Sequence, residues 1–185
     1  MSELFMLSLS TIAVALGVFI MVMNLPAVFA PAVFRRMATG FSRNAPAAWI
    51  LTAIAVAWVA WIILHASLGR FEFLKPLVYV AAPLSFLAMV FFMDELLAPR
   101  ALGGLLLLLA NPVLNSARWL ETDWRLVMVV IAYAWVIAGI TFVLSPFRLR
   151  QAAEWATKTD LRCILGGSIR FLVGAFVLFL GLKVY

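Results

Sequence analysis

The chain has 185 residues, of which 66% are hydrophobic and 12% are charged, and its formal net charge is +6. This balance is typical of an integral membrane protein and excludes an ordinary water-soluble domain. A single cysteine, Cys163, and a single histidine, His65, exclude an internal disulfide, a thiolate metal cluster and bis-histidine haem ligation within the chain.

Apolar runs long enough to cross a bilayer recur along the chain, since a membrane-spanning helix needs about 20 mostly apolar residues. Six such runs lie near residues 4–23, 47–66, 74–93, 97–115, 126–145 and 163–182. We therefore predict an all-α integral membrane protein with six transmembrane helices in a single polytopic domain, residues 1–185. The first run is expected to be retained, because no basic segment precedes it and a proline follows the only plausible cleavage site, Ala30.

Two basic segments join spans: APAVFRRMATGFSRNAP after the first run and SPFRLRQAAEWATKTDLR after the fifth. Each begins with a small residue and a proline and then mixes basic with apolar residues, which predicts two short amphipathic helices lying at the membrane surface. Their residues Arg35, Arg36, Arg148 and Arg150 are expected to contact lipid headgroups, and Arg150 is spaced to pair with Glu154. Whether these segments also bind a particular lipid or partner stays open.

The two connectors also suggest an internal repeat. Aligning Pro31 with Pro146 brings basic and small residues into register and leads into an apolar run in both copies. The pattern predicts a possible parallel repeat of helical hairpins, residues 1–66 and 125–185, joined by the two middle spans.

The distribution of basic residues predicts the orientation in the membrane. With six crossings, the side that holds both connectors carries eight Lys or Arg residues and the opposite side carries five. The positive-inside rule therefore places the connectors in the cytoplasm and both termini outside, in a cell membrane, with a bacterial inner membrane favoured.

The fourth run, in GGLLLLLANPVLNSARWL, is interrupted by polar residues and a proline. Pro112 removes a backbone hydrogen bond, so the helix is expected to kink or end there. Asn111 and Asn115 lie four residues apart on one helical face, and amides in lipid need partners. Two interpretations remain: hydrogen bonds to neighbouring helices, or a cavity that opens outward.

Arg170 lies near the middle of the last run, where a charge is costly. Its side chain should lean back toward the start of the helix, between Gly166 and Gly174, which offer a smooth surface for another helix. We expect Arg170 to be buried against protein and paired with Asp94 or Glu95, which end the third span. The alternative is simple snorkelling to the headgroups.

His65 lies near the outer end of the second span, on one face with Trp58 and Trp61. A histidine in this setting could ligate the metal of a pigment or a haem. The alternative is an interfacial anchor, the usual role of tryptophans at this depth.

The sequence contains no nucleophile–base arrangement, phosphate-binding glycine loop, metal-ligand cluster or nucleic-acid motif. We therefore predict a non-catalytic membrane protein, an accessory or structural subunit, whose partners are membrane lipids and other membrane subunits and not nucleic acid. A small-molecule or ion transporter or channel is one alternative, and a pigment, quinone or lipid binder is another. No cofactor can be named from the sequence.

Overall fold

The computed structural model describes residues 8–42, 44–92 and 96–185. Within these ranges the chain forms eight α-helices and one 3-10 helix, with no β-strand. The 3-10 helix, Gly69–Leu74, leads directly into α4. The α-helices are α1 Leu9–Phe29, α2 Pro31–Phe41, α3 Ala45–His65, α4 Lys75–Phe92, α5 Leu97–Arg118, α6 Arg125–Leu144, α7 Phe147–Ala156 and α8 Asp160–Lys183.

In the described part of the chain, six segments are long and apolar enough to cross a membrane: α1, α3, the 3-10 helix with α4, α5, α6 and α8. The predicted all-α fold with six candidate spans is thus confirmed, and α2 and α7 are the two predicted connector helices. The first span lies further along the chain than expected, because Pro26 is accommodated inside α1 and does not end it. A proline removes a single backbone hydrogen bond, which a long apolar helix tolerates.

The helices that follow the two connectors begin in the same way. The Asn44 side chain accepts a hydrogen bond from the Ala47 amide at the start of α3. The Thr159 hydroxyl accepts one from the Arg162 amide at the start of α8. Both are standard N-caps that satisfy an otherwise free amide of the first turn. The caps occupy equivalent places when Pro31 is aligned with Pro146.

The most extensive contact between helices joins α1 to α8, and glycines bring their backbones together. A Cβ atom added at Gly17 would lie 2.6 Å from the backbone nitrogen of Leu178 and 2.8 Å from the carbonyl oxygen of Gly174. The Ser10 hydroxyl donates a hydrogen bond of 2.7 Å to the Gly181 carbonyl across the same contact. Such approach maximises van der Waals contact, which drives helix association in lipid.

A second close contact joins α5 to α6. A Cβ atom added at either Gly103 or Gly139 would lie 2.8 Å from the carbonyl oxygen of the other glycine. On its other side α5 packs against α3, so α5 contacts both α3 and α6.

Buried apolar side chains of α1, α5, α6 and α8 form the main core. Leu9, Val113, Met128 and Val177 are almost completely buried there. Helix α4 differs from these four helices: it packs against α3 and the 3-10 helix, and none of its residues is buried.

The packing departs from the predicted hairpins of residues 1–66 and 125–185. Helix α1 packs chiefly against α8 and not against α3, and α6 packs chiefly against α5 and not against α8. The glycine positions explain the difference, because the backbones approach most closely where Gly17 meets α8 and where Gly139 meets α5.

Candidate functional site

The two asparagines of α5 form one hydrogen bond with each other along their own helix. Asn115 Nδ2 donates a hydrogen bond of 3.2 Å to Asn111 Oδ1, and both side chains are exposed on the surface of the isolated chain. At Pro112 the helix was expected to kink or to end. It does not end there, because α5 continues to Arg118. The four-residue spacing of Asn111 and Asn115 explains their hydrogen bond, because residues four apart are neighbours on a helix surface.

Arg170 was expected to be buried against protein. Within this chain it is instead exposed on the surface of α8. Its side chain does lean toward the start of the helix: a Cβ atom added at Gly166 would lie 3.9 Å from Arg170 Nη2. The expected partners, Asp94 and Glu95, lie outside the described residues. Among the residues that the structure describes, no acidic group pairs with Arg170.

His65 is the last residue of α3, is exposed, and contacts its own helix. Its Nδ1 atom is 2.9 Å from the Trp61 carbonyl oxygen, and its ring stacks on the Trp61 ring with centroids 4.0 Å apart. This environment suits an interfacial anchor. Over residues 8–42, 44–92 and 96–185, no group of three His, Cys, Asp or Glu side chains could hold a metal ion.

The two connector helices pack against each other, and α2 also contacts α8. Arg35 of α2 forms an ion pair with Asp160 at the start of α8. Because exposed ion pairs contribute little to the free energy of folding, this pair chiefly helps to orient α2 relative to α8.

Two of the four arginines expected at lipid headgroups, Arg36 of α2 and Arg150 of α7, lie near each other where the connector helices meet. Arg150 Nε donates to Glu154 Oε1 at 2.8 Å, which confirms the expected pair. Arg36 and Arg150 line a polar cavity of about 420 Å³ between the two helices. Arg36 and Arg148 are both exposed.

A hydrogen bond from the partly buried Tyr185 connects the end of α8 to the start of α6. Tyr185 donates a hydrogen bond of 2.6 Å to the Trp124 carbonyl oxygen. Burial raises the pKa of the Tyr185 phenol, so the hydroxyl keeps its proton and remains a donor at physiological pH.

A large apolar cavity was not anticipated from the sequence. It has a volume of about 660 Å³ and lies between α3, α4 and α5, with Arg100 on its wall. Arg100 is one of the eight basic residues on the side that holds the connectors. The sequence does contain small side chains on three consecutive spans, but they predict a cavity only if the faces that carry them are known to meet. These small lining residues are Ala55, Ala60, Ala81, Ala82, Ser85, Ala101 and Gly104.

Six helical segments long and apolar enough to cross a membrane, with two short connector helices, indicate the class of a multi-pass α-helical membrane protein. Comparison with known proteins gives no narrower assignment: no family model matches the chain, and no curated protein or solved structure shows significant similarity to it.

Proposed function

We propose that the protein is a non-catalytic subunit of a larger membrane complex, and that the exposed face of α8 around Arg170 contacts a helix of a partner subunit. The observation that carries this proposal is a charged side chain that is exposed within a candidate span.

The position of Arg170 makes it costly without a partner. It lies about 15 Å along α8 from Asp160 at 1.5 Å per residue, and a bilayer core is about 30 Å thick. A charged residue at such a depth costs roughly 2.5 to 3.5 kcal/mol on insertion scales. The residues around it are apolar and exposed, Ile169 by 62% and Leu172 by 66%. A flat apolar surface with one central cation suits a partner helix that carries a carboxylate.

The Asn111–Asn115 pair supports the same proposal from a second helix. Each amide has hydrogen-bonding groups beyond the single bond between them, and both side chains face outward from the bundle. Polar side chains of neighbouring membrane helices commonly satisfy such groups, at about 0.6 to 2 kcal/mol for each bond.

The proposal is tested by purification from native membranes in mild detergent, with quantitative mass spectrometry of the proteins retained. We expect a defined membrane protein to co-purify with the wild type and to be lost with Arg170→Ala. Breaking a buried charge pair costs roughly 3 kcal/mol, so the loss should be large. The matched control is Arg162→Ala, which removes an exposed arginine from the same helix near its start.

Two results would contradict the proposal: a wild-type protein that purifies without a stoichiometric partner, or an Arg170→Ala variant that retains its partner as fully as Arg162→Ala does. In either case Arg170 serves as a headgroup anchor.

We further propose that the connector helices lie in the cytoplasm and both termini lie outside, because eight basic residues oppose five across the six candidate spans. A membrane-impermeant thiol reagent tests this in a Cys163→Ser background. In intact cells it should label a cysteine introduced at Ser2 and leave one at Gly40 unlabelled; the reverse pattern would invert the orientation.

A further inference from the structure

The cavity between α3, α4 and α5 owes its volume to small side chains. Gly104 of α5 faces open space, since a Cβ atom added there would meet nothing within 4 Å. Ala82 and Ser85 of α4 and Ala55 of α3 lie on the other walls. At about 660 Å³, the cavity falls within the range of roughly 300 to 1,000 Å³ that small-molecule sites occupy.

The cavity is elongated along the helices. On α4 its lining extends from Val78 to Met89, about 16 Å at 1.5 Å per residue. That length is close to half of a hydrocarbon core of about 30 Å, the depth of one leaflet. The shape and the apolar lining therefore suit a single acyl chain.

Arg100 places a positive charge at one end of this space. It belongs to the first turn of α5, near the ends of the walls marked by Met89 and Leu97. The amino-terminal end of a helix carries partial positive charge, and no side chain caps α5. Arg100 adds a like charge there, and within the described residues it has no hydrogen-bond or ion-pair partner. An anion at this point would be stabilised by both positive groups.

We propose that the cavity binds one molecule of an anionic phospholipid, with an acyl chain between α3, α4 and α5 and the phosphate at Arg100. Arg100 lies at the membrane-surface end of α5, which is the depth of a headgroup, and the acyl chain then extends toward the bilayer centre. The site is separate from the proposed partner surface on α8.

The chemistry of the walls favours a phospholipid over a polar ring system. The Thr52 hydroxyl, one of the few polar groups of the lining, already donates a hydrogen bond of 2.8 Å to the Ala48 carbonyl within α3. A quinone or pigment ring needs directed hydrogen bonds or a ligand for its metal. An acyl chain needs neither, and a phosphate needs a cation such as Arg100.

Native mass spectrometry of the purified full chain tests the proposal, with phosphatidylglycerol and phosphatidylcholine of the same chain length added in turn. The wild type should retain one phosphatidylglycerol molecule in preference to phosphatidylcholine. Gly104→Phe, which fills the cavity, should lose both lipids. Arg100→Gln should lose about tenfold in preference for the anionic lipid and keep the neutral one, as expected for loss of a charge-assisted hydrogen bond.

Matched controls separate this site from the general lipid surface. Ala134→Phe adds the same ring to an exposed position of α6, and Arg118→Gln removes an exposed charge at the opposite end of α5; neither should change lipid retention. Ser85→Phe fills the cavity from α4 and provides a second test in case Gly104→Phe does not fold.

Retention of phosphatidylglycerol by both filling variants at the wild-type level would overturn the proposal, as would an unchanged lipid preference in Arg100→Gln. Loss of lipid in Gly104→Phe with no change in co-purifying protein would show that this site and the α8 surface act independently.

Discussion

The α1–α8 contact and the α3–α4–α5 region use small residues in opposite ways. In the first, Gly17 and Gly174 let two backbones touch, and Leu180 of α8 is 1% exposed. In the second, Gly104 and the alanines of α4 face each other across an empty volume, and Leu84 of α4 is 64% exposed.

The difference shows that a stripe of small residues does not by itself predict close packing. In lipid the apolar surface of a helix gains little by leaving the solvent, so helices associate where their shapes fit. Helices α1 and α8 are held together by contact over their whole length. Helix α4 contributes no buried side chain and is held mainly by α3. A cavity can therefore persist beside α4.

The largest expected contrast comes from truncating a leucine in each region. Leu180→Ala removes a fully buried side chain of α8, so it should leave a cavity and lower the free energy of unfolding by about 2 to 5 kcal/mol. Leu84→Ala removes a side chain that mostly faces outward and should change it by less than about 0.5 kcal/mol. Unfolding by sodium dodecyl sulfate, followed by tryptophan fluorescence, measures both. Equal losses would mean that α4 is packed as tightly as α8.

A smaller contrast is expected when a side chain is added at two glycines. Gly17→Val should force apart α1 and α8, because the new Cβ would contact backbone atoms that cannot move independently; overpacking of this kind costs about 1 to 3 kcal/mol. The valine side chain of Gly104→Val would point into open space, so the free energy of unfolding should stay unchanged or rise. The same unfolding assay compares them, and a destabilised Gly104→Val alongside a tolerated Gly17→Val would reverse our assignment of the two regions.

Much of the fold was predictable because hydrophobic length is a local property of the sequence. The six apolar runs and the two proline-initiated connectors each became helices near the expected places. Two helices extend past prolines and beyond the predicted runs: α1 passes Pro26, and α5 passes Pro112, where a kink or an end was expected. In both helices the long apolar sequence on either side outweighs the single lost hydrogen bond.

The partners of each helix could not be predicted in the same way. Glycines at Gly17, Gly103 and Gly139 permit a close approach, but nothing in a single sequence states which helix makes it. The connectors were therefore interpreted as joining hairpins, whereas the first span packs against α8. For the same reason the cavity at Arg100 was missed, since it depends on three helices whose relative placement no local pattern encodes.

The α1–α8 contact also sets an order for assembly of the molecule. Its two halves are far apart in the sequence, and the α5–α6 contact lies between them. During synthesis α5 and α6 can pair as soon as both have been made, whereas α1 can pair with α8 only when the end of the chain has been made. Contacts between distant segments form late, because the entropy of closing a long loop is lost before the contacts contribute any stabilising energy. The surface of α1 around Gly17 thus stays uncovered, and accessible to other helices, for most of the time that the chain is being made.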